Sequence, residues 1–160
     1  MQQLSNWVYR FSTWLIMILV GIMACVTLAE VIGRNVFQQS FSWSEEVARF
    51  TLVWLTFIGA SAVYKRKELV GFDMFMQKLP PSAKKIATVL LHVFTISFIL
   101  VLIYYGFKQT FSKTAIIQHS PGLQLPMYAV YLAIPLGMLM TLVHALALLL
   151  EKRQEGGVEQ

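Results

Sequence analysis

The sequence is short of the groups on which most protein classes depend. One residue of 160 is a cysteine, Cys25, so no internal disulfide can form and no C-x-x-C redox or zinc motif exists. Charged residues make up 13% of the chain, where a soluble domain carries about 25%. Set beside a hydrophobic content of 57%, that scarcity excludes a disordered chain and argues against a water-soluble fold. No H-E-x-x-H, no G-x-S-x-G and no phosphate-binding glycine loop occurs. So few residues lie outside apolar segments that a soluble catalytic domain has no room. The composition points to a protein that is not an enzyme and needs no cofactor.

What is present is long apolar runs. About 20 residues span a bilayer, and four segments reach that scale, over about 11–33, 43–64, 86–107 and 126–150. The first follows Arg10 as a signal peptide would, but it exceeds the 7–15 residues of a signal core and three more spans follow, so it reads as an uncleaved helix. The expected fold is an all-α integral membrane protein with one four-helix domain over 1–150 and a polar tail over 151–160. Pro135 and Gly137 inside the fourth segment predict a bend. Gly59, Ala60, Ser61 and Ala62 give the second helix a face of small residues that permits close approach.

The basic excess, 13 Lys and Arg against eight Asp and Glu, is a topology signal. Arg10, Lys65, Arg66, Lys67, Lys78, Lys84, Lys85, Lys152 and Arg153 fall on one side; Arg34, Lys108 and Lys113 fall on the other. By the positive-inside rule, both termini and the 65–85 loop are cytoplasmic. Nucleic acid is not needed to explain the charge. Trp7, Tyr9 and Tyr64 at the inner ends, and Phe37, Phe41, Trp43, Tyr104, Tyr105, Tyr128 and Tyr131 at the outer ends, match aromatic belts. Within the loop, Leu69, Phe72, Phe75, Met76 and Leu79 recur on one helical face between basic flanks. That pattern predicts a short amphipathic helix at the inner surface, anchored by Lys65, Arg66, Lys67, Phe72, Phe75, Met76, Lys84 and Lys85.

The ionisable residues beside the spans are the candidate functional groups. Ser42-Trp43-Ser44-Glu45 has the form of a capping box. Arg49 lies four residues after Glu45 and three after Glu46, and Glu30 and Arg34 form a second i, i+4 pair. Glu30, Arg34, Trp43, Glu45, Glu46 and Arg49 are therefore expected to gather at the outer end, either neutralising one another or contacting another subunit. His92 and His144 sit at matching depth, and a b-type haem held between them would make the chain a respiratory membrane anchor. Hydrogen bonding between helices is the alternative for these two rings. Glu30 as the carrier of a small self-assembling exporter, and a bundle without transport partners, also remain open.

Several blocks together resemble a known family. They are Arg34-x-x-Phe37, Trp43-Ser44-Glu45-Glu46-x-x-Arg49, Trp54-Leu55-Thr56-Phe57-x-Gly59-Ala60, Lys65-Arg66-Lys67-Glu68 with Asp73, and Leu79-Pro80. A further block is Leu125-Pro126-Met127-x-x-Val130-Tyr131-Leu132-x-Ile134-Pro135-Leu136-Gly137. From about residue 30 to 140 the chain resembles the small membrane subunit of tripartite ATP-independent periplasmic (TRAP) transporters. It departs from that pattern at Leu69, where the family usually has a histidine. The resemblance implies a bacterial inner-membrane protein that forms a stable heteromer with a large membrane subunit and meets a periplasmic binding protein transiently. It also implies sodium-coupled import of an organic acid, of the sialic acid or C4-dicarboxylate type. The small subunit would act as a scaffold and bind no substrate itself.

Overall fold

A computed structural model describes residues 2–66 and 80–155. Its elements are α1 (Gln2–Val36), α2 (Ser42–Arg66), α3 (Pro81–Thr110), α4 (Lys113–Ile117), α5 (Met127–Tyr131) and α6 (Ala133–Glu155). Among the described residues, four helical stretches are long and apolar enough to cross a membrane: Gln2–Val36, Ser42–Arg66, Ile86–Thr110 and Met127–Leu150. The chain is an all-α membrane protein.

The helices outrun the apolar runs that announced them. At 35 residues, α1 is about 52 Å long, well beyond the roughly 30 Å hydrocarbon layer. Pro80 caps α3 with Pro81 in its first turn, where a missing N–H costs nothing. Residues 65–66 and 81–85, assigned to the interfacial loop, thus belong to the ends of α2 and α3. The amphipathic helix expected from Leu69 to Leu79, with Lys67, Phe72, Phe75 and Met76, lies outside the described residues.

The long helices stand in a row, α1–α2–α6–α3, and α3 meets the rest mainly through α6. Burial follows this order: 44% of the most apolar window of the α5–α6 span is buried, and none of that of α1. The core packs Ile99, Met138 and Ala145 with Phe57, Tyr64, Leu102, Ile103 and Leu142. Gly137 decides how close α6 and α2 come, because a Cβ there would stand 2.6 Å from Phe57 Cβ and 2.8 Å from its carbonyl carbon. Gly106 admits Pro135 in the same way at 3.1 Å. The small-residue face of α2 works differently from expectation. Ser61 is buried, but a Cβ on Gly59 would meet nothing within 4 Å. Small residues permit contact without creating it, and here α6 approaches at Phe57 instead.

The effect of Pro135 is a missing hydrogen bond one turn earlier, with the backbone at Leu132 still helical. Proline offers no N–H to the carbonyl four residues back, Tyr131, and α5 ends there before α6 begins at Ala133. Hydroxyls within the spans turn onto their own helices, as hydrocarbon surroundings require. Thr27 donates to the Met23 carbonyl, Thr56 to Leu52 and Thr141 to Gly137, each within 2.8 Å.

Candidate functional site

At the Ser42 end, two glutamates accept hydrogen bonds from the chain around them. Glu30, six residues before the end of α1, accepts from Ser40 Oγ at 2.7 Å, the Phe41 N–H at 3.0 Å and Ser44 Oγ at 2.7 Å. It therefore holds the 37–41 connection and closes the start of α2, where backbone N–H groups have no partner within the helix. The turn is tight enough that a Cβ on Gly33 would lie 2.6 Å from the Phe41 ring, and Gln38 takes a positive φ of 53°.

Glu46 holds a second segment. Its Oε1 accepts from the Gly122 N–H and its Oε2 from the Leu123 N–H, both at 2.9 Å. These donors are 76 and 77 positions along the chain, in the hairpin between α4 and α5. Glu46 is 8% exposed, and a Cβ on Gly122 would be 3.1 Å from its carboxylate. Two adjacent amides on the two oxygens of one carboxylate make a charge-assisted fork.

These contacts correct the sequence-derived pairing. Glu30 is committed to Ser40, Phe41 and Ser44, and Arg34 is exposed and makes no ion pair with it among the described residues. The capping box of Ser42 and Glu45 is replaced by Glu30, because Glu45 turns outward to Arg49 at 2.5 Å. That pair is solvent- or lipid-facing, with side chains 78% and 63% exposed. Trp43 is exposed and leans on Phe41, ring centres 5.7 Å apart. Of the six residues expected at this end, Glu30 and Glu46 act within the chain, and Arg34, Trp43, Glu45 and Arg49 face outward.

At the opposite end, Arg66 donates through Nε to Tyr9 Oη at 2.6 Å and lies 5.6 Å over the same ring. His144 is fully buried, with Nδ1 2.8 Å from Ser5 Oγ. These contacts fasten the start of α1 to α2 and α6. His144 Nε2 and Ser61 Oγ are buried without a hydrogen-bond partner among the described residues. His92 Nδ1 lies 2.6 Å from the Thr88 carbonyl of its own helix. No cluster of three or more His, Cys, Asp or Glu that could hold a metal occurs among the described residues. Lys65 and Arg66 stand in the last turn of α2, and the side chains of Lys84 and Lys85 lie outside the description.

Among the described residues the arrangement is that of a framework, in which carboxylates and hydroxyls tie segments together. Its sequence matches the family model of tripartite ATP-independent periplasmic transporters, DctQ component, over residues 23–155. The chain belongs to this family. As a DctQ component it is part of a transporter rather than an enzyme, and a multi-pass protein of the bacterial inner membrane. The respiratory-anchor reading of His92 and His144 gives way to this membership.

Among relatives, the ectoine TRAP transporter small permease protein TeaB of Halomonas elongata is 27% identical over 123 residues, 75% of this chain and 62% of its own length. The C4-dicarboxylate TRAP transporter small permease protein DctQ of Vibrio cholerae is 32% identical over 73 residues, 46% of this chain and 32% of its own. The isethionate TRAP transporter permease protein DctMQ of Oleidesulfovibrio alaskensis is 26% identical over 93 residues, which cover 58% of this chain but 15% of that relative. The DctQ-like region there is a small part of a much longer permease.

The sequence concealed both carboxylate forks. Ser40 carried no signal beyond a polar turn, Ser44 entered only as an interior position of the Ser42–Glu45 capping box, and Ser5 gave none. The Pro121-Gly122 turn could have been suspected of approaching another backbone, but nothing local pointed to Glu46.

Proposed function

We propose that this chain is the static small subunit of a sodium-coupled TRAP importer of an organic acid. It would form a stable heteromer with a large polytopic membrane subunit and receive cargo-loaded periplasmic binding protein transiently. Both termini and the 65–85 loop face the cytoplasm in this reading, by the distribution of Lys and Arg.

One observation carries the scaffold assignment. Glu46, which is buried, and Glu30, which is half-buried, hold the chain's own backbone, while α1 and α3 present apolar faces outward. Trp7 and Trp14 on α1 are each 67% exposed, and Phe94 on α3 is 77% exposed. A transport site needs polar groups directed at cargo or ion, commonly from a pair of broken helices; the interruption at Leu132 leaves the backbone helical. The longer relative DctMQ supports a partnership with a larger permease. Relatives named for ectoine, isethionate, sialic acid and C4-dicarboxylate share this small component, which supports cargo selection elsewhere in the assembly.

The deciding experiment is reconstitution. The large subunit and this chain together should give uptake in proteoliposomes that depends on a sodium gradient and on the binding protein, and this chain alone should give none. Uptake by this chain alone overturns the scaffold role.

A further inference from the structure

Residues 111–126 form a hairpin between two spans, and four of its side chains have no place in a water-facing loop. Phe111 is 65% exposed, Ile117 75%, Ile116 49% and Leu125 43%. We propose that this hairpin is a membrane anchor, with these four side chains seated in the lipid leaflet at the Ser42 end of the molecule.

Three independent observations support that occupant. The first is depth. Glu46 lies four residues into α2, and its carboxylate, which leans toward the start of the helix, holds Gly122 and Leu123 beside the first turn. The Cβ direction of Gly122 also meets the Ser42 carbonyl at 3.1 Å. The Gly122–Leu123 turn of the hairpin is therefore held against the first turn of α2.

The second is backbone satisfaction. Ser112 Oγ accepts from the Ala115 N–H, and the Ile116 and Gln118 N–H groups donate to Ser112 and Thr114. Ser120 N–H donates to the Leu125 carbonyl, Gln124 N–H to Ser120, and Met127 N–H to Gln118. Leu125 N–H donates to Ser120 Oγ, and Gly122 and Leu123 to Glu46. A loop in water leaves such groups to the solvent, whereas one at the edge of hydrocarbon must satisfy them from within. Sixteen residues at a polar surface would not need this degree of closure.

The third is continuity with a membrane-facing surface. Phe111 stacks on Phe107 at the end of α3, ring centres 6.2 Å apart. One turn further back, exposed Tyr104 and Tyr105 with Lys108 Nζ 6.0 Å over the Tyr105 ring make an aromatic and basic belt. Such belts mark headgroup level. Apolar side chains that follow the belt, with Lys113 among them, match a segment in the interfacial layer. The seat is the same whichever leaflet this is.

Site-directed spin labelling of the complex decides it. In a Cys25→Ser background, Ile117→Cys would carry a nitroxide, and the small and large subunits together would be placed in nanodiscs of phosphatidylethanolamine and phosphatidylglycerol. A lipid-seated hairpin gives a label several-fold more accessible to oxygen than to nickel ethylenediaminediacetate, as Phe94→Cys on the apolar face of α3 should when lipid-facing. Greater accessibility to the nickel reagent means water and overturns the proposal. An immobilised label shielded from both reagents means that the large subunit covers the hairpin, and overturns it equally. Adding Glu46→Gln should raise the nickel accessibility at 117 several-fold while leaving it unchanged at 94. An unchanged value at 117 overturns the role of Glu46 in setting depth, and the measurement without that substitution judges the seat itself.

Discussion

Glycines of the same type do opposite work in this chain. Gly137 lies where α6 touches the backbone of α2 at Phe57, so Gly137→Ala puts a methyl 2.6 Å from Phe57 Cβ. Helix separation must then grow, at a cost of about 1–3 kcal/mol, and thermal unfolding in detergent should shift down accordingly. Gly59→Ala meets open space and gains helix propensity of up to about 1 kcal/mol. It should leave the isolated chain as stable or slightly more so in the same melt. The exposed Glu45–Arg49 pair is a third case at this scale. Exposed pairs contribute about 0–1 kcal/mol, so Arg49→Gln should barely change the melting temperature of the chain alone. The i, i+4 spacing announced that pair; nothing in spacing announced that Glu46, one residue on, faces inward to a different part of the chain.

Elements are joined here by carboxylates meeting backbone amides. Helix α2 begins where it does because Glu30 takes the Phe41 N–H and two serine hydroxyls, not because Ser42 and Glu45 cap one another. Glu46→Ala removes the acceptor from Gly122 and Leu123 together. Hydrogen exchange at those two amides should accelerate, with the amides in the middle of α1 unchanged. Glu46→Gln keeps one carbonyl oxygen and should protect one of the two, an intermediate pattern that distinguishes lost hydrogen bonding from lost fold. The existence, order and approximate place of the spans were legible, because each is a run of apolar residues of bilayer length. The interruption before Ala133 was legible only as a bend, since Pro135 names the carbonyl it abandons but not how the chain will respond. The hairpin with α4 was illegible: five residues make no periodicity.

For the whole molecule, the row α1–α2–α6–α3 leaves its end helices largely unpacked within the chain. In the membrane that surface is met by lipid or by another subunit, and the scaffold proposal assigns part of it to the large permease. Co-expression should therefore give a complex that survives detergent extraction and raise the melting temperature of this chain. Charged substitutions such as Phe94→Asp or Trp14→Asp should test the two outer faces separately. The face that binds the partner should lose co-purification, and the face that meets lipid should lose membrane insertion yield instead.

The sequence by itself determined the class of this protein, its long apolar spans and its likeness to the small TRAP subunit. Those properties are carried by composition and by periods of a few residues, which survive without knowledge of any distant contact. Tertiary structure alone decided which acids face inward, where α6 meets α2, and that a sixteen-residue hairpin is pinned against the first turn of α2. Each depends on groups brought together from far apart in the chain, Glu46 with Gly122 and Ser5 with His144 among them. A carboxylate in a one-dimensional pattern offers two acceptor oxygens and no direction; only the packed helices supply the direction.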